Sequence, residues 1–164
     1  MEPEMHNLQP NSIRDVTNWL DTANISYEII DHAPIDGTAS GSSTTTRTTP
    51  EQGAKALIMM IENKNPVMVV VRGPDRVDFR QIKKTTGASD VRLASLQEIH
   101  QITPLSIGTL HPFGNLLNIP TYFDRKLLDQ ETIVCGTGSP TQSLIVRAAD
   151  LKNIHDFILG DFTK

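Results

Sequence analysis

Cys135 is the only cysteine in the chain, so no internal disulfide can form, and this usage fits a reducing compartment. Aromatic residues are sparse, with one Trp, two Tyr and five Phe among 164 residues. Long apolar runs are also missing: the strongest, Ala56 to Ile61 and Val67 to Val71, fall far short of the roughly 20 residues that cross a bilayer. The N-terminus, Met1-Glu-Pro-Glu-Met-His6, is acidic and polar where a secretory leader is basic and then apolar. A cytoplasmic protein that does not enter the membrane is expected. A net positive charge is lacking as well. The formal charge of -4 excludes a broad, nonspecific nucleic-acid coat, because such binding needs many Lys and Arg contacts to phosphate.

Common catalytic signatures are absent too. The chain has no Gly-x-x-x-x-Gly-Lys-Ser/Thr phosphate loop, no Gly-x-Gly-x-x-Gly fingerprint and no Gly-x-Ser-x-Gly nucleophile elbow. Gly136-Thr-Gly138 alone is too short to mark a nucleotide site. His6, His32, His100, His111 and His155 are scattered, with no pair at metal-ligand spacing and no second cysteine to assist them. No metal and no cofactor are expected. A lone cysteine inside the apolar segment around Cys135 reads as a small core hydrophobe, and a Cys135-dependent hydrolase is the alternative.

What is present is enough for one compact unit. A chain of 164 residues with 38% apolar and 21% charged content can bury a core without staples. It reads as one domain over 1–164, with residues 1–10 as a flexible tail. Between Arg72 and Arg92 six cations (Arg72, Arg76, Arg80, Lys83, Lys84, Arg92) face three acids (Asp75, Asp78, Asp90), a local excess of +3 in an acidic chain. This is a solvated helix face or a local anion-binding patch.

Apolar residues at Ile13, Val16, Leu20 and Ala23 predict a helix over 12–24, behind capping residues Asn11 and Ser12. Ile25 to Ile30 alternates and predicts a strand. The Gly/Ser/Thr-rich stretch 37–49 is a loop or a poorly formed helix. Pro50 suits the first turn of a short helix through Lys55, and 56–61 and 66–72 predict a strand hairpin. A short helix around Phe79 and Ile82 closes at Gly87, and Ser95-Leu-Gln-Glu98 has capping-box spacing. A Gly/Pro-rich loop fills 104–120. Strands are predicted at 121–123, 132–135 and 143–147, and a closing helix at 148–159. Strands interrupted by short helices without strict alternation indicate an α+β fold.

The order of certain residues says more than any one motif. His32-Ala-Pro34, Gly53-Ala-Lys55-Ala-Leu57, Val69 to Gly73 with Asp75, Arg92-Leu-Ala94, Gly108-Thr-Leu-His-Pro112-Phe-Gly114, Tyr122-Phe-Asp124 and Gly138-Ser139 with Ser143 follow one another. This succession resembles the YbaK family, editing domains found inside bacterial prolyl-tRNA synthetases and as free-standing trans-editing deacylases. The match runs from about Ile25 to Phe157. Gly-Ala-Lys-Ala-Leu and Pro112 to Leu116 look closer to the broader deacylase branch than to the members that clear Cys-tRNA.

The resemblance implies a curved, mixed and mostly antiparallel β-sheet, barrel-like and surrounded by short helices. It implies as substrate the acceptor end of a mischarged tRNA carrying a small or polar residue such as Ala, Ser, Thr or Cys, with a synthetase as a further partner. Lys55 matches the family lysine, and Gly108 and Pro112 match the Gly-x-x-x-Pro loop; these are the catalytic candidates. His32, His111, Phe113, Gly114, Asp124, Gly138 and Ser139 are candidates for substrate binding. Asp124 has two open roles, orienting a substrate ammonium or capping 125–128.

These residue types suit ester hydrolysis. An aminoacyl-tRNA is an activated ester, so positioning, an oriented water and stabilisation of charge on the carbonyl oxygen suffice. Lysine supplies a cation, and glycine-bearing turns can expose amides to an oxyanion. Pro104 and Pro140 depart from the family pattern, since many members carry Gly and His at these places; Gly136 stands where Asn is common. A non-catalytic tRNA-binding module of the same fold is therefore the second reading.

Overall fold

In the computed structural model the described residues are 13–33, 48–103, 109–152, 154 and 156–164. The N-terminal tail, most of the Gly/Ser/Thr-rich stretch, Pro34, Pro104 and Gly108 lie outside them.

Helix α1 (Ile13–Thr22) forms on the expected apolar stripe and buries Val16 and Leu20. Asn24, at φ 59°, turns the chain through the left-handed backbone that asparagine tolerates. Strand β1 (Tyr27–Asp31) follows. The helix expected to run through Lys55 stops early: only Pro50–Gln52 is helical, as one 3-10 turn, and Gly53 is already extended at φ -77° and ψ 130°. Thr49 and Gln52 satisfy each other in a capping box, and strand pairing takes over from there. Lys55 therefore stands on a strand.

Strands β2 (Ala54–Ile61) and β3 (Asn65–Arg72) are the expected hairpin, with Ala54 opposite Arg72 and Ile61 opposite Asn65. Helix α2 (Phe79–Thr86) begins at Asp78, whose carboxylate accepts from the Arg80 amide, and ends at Gly87 in the left-handed conformation at φ 75°. Strand β4 (Val91–Leu93) was not expected. Three residues are too few to show a period, and this strand exists because it pairs with β2, Met59 lying opposite Leu93. Helix α3 (Leu96–Ile102) has the predicted Ser95/Glu98 capping box. The Arg92 guanidinium adds a two-pronged contact to Glu98 at 2.8 and 2.9 Å.

The loop after α3 contains a 3-10 turn, Gly114–Leu117. Then come β5 (Thr121–Asp124), α4 (Arg125–Leu128), β6 (Thr132–Gly136) and β7 (Gln142–Arg147). The closing helix predicted over 148–159 is corrected: α5 covers only Ala148–Leu151, and β8 occupies Phe157–Gly160. The apolar run at 157–159 fits a strand as well as a helix. The open edge of β5 decides the matter, pairing in parallel with β8 from Thr121 opposite Phe157 to Asp124 opposite Gly160.

The strands form a mixed sheet in the order β4-β2-β3-β5-β8 and an antiparallel sheet in the order β1-β7-β6. A parallel bridge from Gly53 to Val134 joins them. Alternation along β2, β3 and β5 sends side chains to both faces of the larger sheet. On one face Ile58, Met68, Val70 and Phe123 pack with α1 and with Ile133, Cys135, Leu144 and Val146 of the smaller sheet. On the other, Met59, Ile61, Val69, Val71 and Tyr122 pack with Ile82 of α2 and with Phe162. This two-sided burial explains the near-continuous apolar runs. Among the described residues no helix is long and apolar enough to cross a membrane.

Candidate active site

Lys55 lies near the start of β2, opposite Val71. Its parity along the strand is that of Leu57 and Met59, so it shares the sheet face that α2 covers. The Lys55 ammonium donates to the Asp75 carbonyl oxygen at 2.7 Å, which leaves two of its three N–H donors for other partners. Burial pulls its pKa below the ordinary 10.5; the Asp75 charge opposes this and the Arg76 charge adds to it. The cation is thus half-buried, held by a neutral carbonyl, and close to a second cation. The Asp75 carboxylate itself is engaged by Arg72, through contacts of 2.7 and 3.0 Å.

The turn carrying Asp75 is tied to the foot of β2, because the Gly73 amide donates to the Gly53 carbonyl at 2.9 Å. The isolated Gly53–Val134 bridge brings the foot of β2 against β6. Gly136 pairs with Ser143. A side chain at Gly136 has no room: its Cβ would lie 2.6 Å from the Leu110 carbonyl oxygen and 2.8 Å from that of Thr109. The 109–110 backbone therefore packs directly over β6. Gly138, at φ 92°, donates its amide to the Thr109 carbonyl at 2.7 Å. The Pro112 loop and the Gly138-Ser139 turn, 26 residues apart by the difference of their numbers, are in this way one structural unit.

That unit uses its amides internally. Ser139 donates its amide to the Thr137 hydroxyl at 3.1 Å, and Thr141 donates its amide to the Ser139 hydroxyl at 3.2 Å. The turn thus fixes the position of the loop, whereas the sequence suggested that its amides would face a substrate. Gly108 is outside the described residues. Pro112 and Phe113 are buried, and Phe113 packs between Trp19, His111 and Phe157 at ring separations of 5.0, 5.9 and 6.4 Å. Gly114 is buried against Thr121, Ile119 and Met68, with no space for a Cβ.

His111 is fully buried, and its Nδ1 accepts from the Phe113 amide at 3.3 Å. Its Nε2 has no partner among the described residues. Burial drops its pKa from 6.5 to about 4, so the ring is neutral at pH 7. His32 is half-exposed. Its Nδ1 lies 2.8 Å from the Ala33 carbonyl and its Nε2 2.8 Å from the Ser143 hydroxyl. Since a carbonyl only accepts, the proton belongs on Nδ1 and Nε2 accepts from Ser143. This pairing carried no signal in the sequence, where the two residues stand 111 apart.

Asp124 is fully buried. One carboxylate oxygen accepts from the Lys126 amide at 2.9 Å and the other from the Phe162 amide at 2.8 Å. Of its two open roles, the cap is the one this geometry displays. Cys135 is buried in β6, and burial raises its thiol to about 12. That suits a core residue and opposes nucleophilic use. Among the described residues no group of three or more His, Cys, Asp or Glu could hold a metal ion.

The class these features describe is a two-sheet α+β protein with a partly desolvated lysine on one strand and a glycine-bearing double loop at another. The profile of the aminoacyl-tRNA editing domain matches residues 34–154. The chain belongs to that family, and the YbaK resemblance read from its ordered residues holds. A proline–tRNA ligase of Aquifex aeolicus is 26% identical over 113 residues, covering 69% of this chain and 19% of the ligase. That of a Sulfurihydrogenibium species is 33% identical over 82 residues, covering 50% of this chain and 14% of the ligase. The chain thus corresponds to less than a fifth of the length of these relatives. Two crystal structures share the fold. A hypothetical protein superposes with TM-score 0.82 at 21% identity, over 91% of this chain and 99% of its own. A candidate trans-editing enzyme for prolyl tRNA synthetase gives 0.79 at 20% identity, over 100% and 99%.

Proposed function

We propose that this chain is a trans-editing aminoacyl-tRNA deacylase, acting as a single domain in the cytoplasm on a tRNA that carries a small or polar amino acid of the Ala, Ser, Thr or Cys class. The observation that carries the reading is the Lys55 ammonium, half-buried and held by the Asp75 carbonyl at 2.7 Å in a member of the editing-domain family. Its two remaining donors suit a phosphate oxygen or the ester carbonyl as negative charge develops there. Partial desolvation strengthens either interaction. The acceptor end of the tRNA is the partner, and a synthetase is the source of the mischarged ester.

In this reading Lys55 is the catalytic cation. Gly108 and Pro112 are its proposed catalytic partners, while His111, Phe113 and Gly114 pack the loop that contains Pro112 into the core. Gly138 and Ser139 brace the loop from the turn between β6 and β7, Asp124 anchors the neighbouring strands, and His32, held by Ser143, is a proposed substrate contact. The scattered histidines support hydrolysis without a metal ion. The departure at Pro140, where family members often carry histidine, favours a second reading, a tRNA-binding module without turnover.

A panel of mischarged tRNAs separates the two. Ester release that falls by about 10²-fold or more in Lys55→Ala supports the deacylase, on the scale of losing one oxyanion donor. Equal rates for Lys55→Ala and wild type would remove Lys55 from the chemistry, and tight binding with no release across the panel assigns the binding module. Loss of turnover on EDTA treatment would contradict metal independence.

A further inference from the structure

The six cations between Arg72 and Arg92 are not equivalent in the folded chain. Arg72 is neutralised by Asp75 and Arg92 by Glu98, each through two short contacts. Arg76, Lys83 and Lys84 have no carboxylate partner among the described residues. Arg80 has only a loose contact of 3.8 Å to Asp78, with its own side chain 89% exposed, and that same Asp78 oxygen already caps α2. The local charge excess is therefore concentrated on four side chains.

These four are ordered in space. Arg76 directly follows the residue whose carbonyl holds Lys55, and its charge is close enough to act on the Lys55 ammonium. Its backbone is fixed from the other side: the Arg76 carbonyl accepts from the Lys164 amide at 3.0 Å, and Val77 bridges to Thr163. Asp78 then starts α2, and Arg80, Lys83 and Lys84 stand three and four residues apart on it, the spacing that groups side chains on one helix surface. Ile82 takes the opposite side and is buried. Such unpaired cations repel one another unless an anion lies across them.

We infer that Arg76, Arg80, Lys83 and Lys84 form a docking ridge for the sugar-phosphate backbone of an RNA stem, which it leads to Lys55. The inference rests on the deacylase reading for the identity of the RNA, a tRNA acceptor stem. It adds where the stem lies and which side chains hold it. An RNA duplex suits this surface because it is recognised mainly by shape and phosphate contacts, and the ridge offers four cations with a single exposed aromatic, Phe79, at the first position of α2. The ridge adjoins the proposed site through Arg76, and the helix that carries it covers, with its opposite side, the sheet face on which Lys55 lies.

The test measures binding and turnover separately. Anisotropy with an acceptor-stem RNA hairpin, titrated between 50 and 200 mM salt, reads how many phosphates the protein neutralises. Glutamine substitutions keep helix propensity, so Arg80→Gln and the pair Lys83→Gln with Lys84→Gln are suitable, each checked by circular dichroism. The slope of log K against log salt should become shallower by about 0.7–0.9 for each phosphate that a variant no longer neutralises. Lys152→Gln, at the end of α5 on the other sheet, should leave it unchanged. In turnover, the ridge variants should raise KM for an aminoacylated hairpin and leave the rate on aminoacyl-adenosine, which has no stem, at the wild-type value.

Unchanged affinity and slope in folded ridge variants would overturn the inference, as would an equal loss in Lys152→Gln. Absence of all ester hydrolysis would sink the deacylase reading, while the salt slope would still report on the ridge. An acidic protein surface as the true occupant would appear as RNA binding indifferent to all four cations, which also overturns the proposal.

Discussion

At the scale of single residues, the site depends on a charge that is held without being cancelled. A carboxylate against Lys55 would neutralise it, whereas the Asp75 carbonyl fixes its position and leaves the positive charge for a substrate. Burial and Arg76 together pull the Lys55 pKa below 10.5, and in the proposed deacylase the protonated form is the useful one. The enzyme-dependent rate, after subtraction of spontaneous ester hydrolysis, should therefore begin to fall on the alkaline side before an ordinary lysine would titrate. A pH-rate profile that stays flat past pH 10.5 would contradict this. Gly136 makes a second claim on one residue. Its alanine variant must displace the Thr109 and Leu110 carbonyls, 2.8 and 2.6 Å from the added carbon. Overpacking of this kind costs about 1–3 kcal/mol, and it moves the 109–114 loop proposed to contribute to the site. Gly136→Ala should lower both the melting temperature and kcat, and a large fall in stability with unchanged kcat would separate the loop from the chemistry.

Among the elements, Asp124 joins three at once: it ends β5, caps α4 and accepts the Phe162 amide just beyond β8. Hydrogen bonds to a charged acceptor contribute about 1.5–3 kcal/mol each. Asp124→Asn can keep one acceptor but turns an N–H₂ group toward the other amide, so it should lose about that amount, and Asp124→Ala roughly twice as much. Urea unfolding of the two variants checks the order; equal losses would mean that only one of the two hydrogen bonds matters. This residue also shows what the sequence made legible. Its capping role could be read from Arg125 to Leu128, because a cap acts within one turn. Its bond to Phe162 spans 38 positions and left no local trace. The hairpin of β2 and β3, α2 with its Gly87 stop, and the Ser95 box were equally legible, since each is set by neighbours in the chain. Strands β4 and β8 were not, because they are defined by the sheet edges they join. In the site, the order of Lys55, the Pro112 loop and the Gly138 turn could be read. The long-range ties, Gly138 to Thr109 between turn and loop and His32 to Ser143, could not.

Over the whole molecule, the loop that carries His111 and Pro112 is also part of the core, and this links acid stability to a segment proposed for the site. His111 is buried against Phe113, which in turn touches Trp19 of α1 and Phe157 of β8. The folded chain holds the imidazole neutral down to about 4, against 6.5 when it is unfolded. Between those values the unfolded chain binds a proton that the native chain refuses, so stability is full above pH 6.5 and declines as the pH falls toward 4. At about 1.4 kcal/mol per pH unit, the loss across the window is about 3 kcal/mol, a sizeable part of a typical domain's total. The Arg92–Glu98 pair contributes little in this range, because Arg92 holds the Glu98 carboxyl down at about 2 and its stabilisation fades only below 4.5. Urea midpoints at about pH 7 and pH 5, placed on either side of the histidine's ordinary value, should differ clearly for wild type. His111→Phe keeps an aromatic ring against Phe113 and removes the titration, so its two midpoints should lie closer together. If the variant keeps the full wild-type difference, the acid sensitivity originates elsewhere. If it loses the difference and still hydrolyses its ester normally, His111 holds the loop in place without taking part in the chemistry at Lys55.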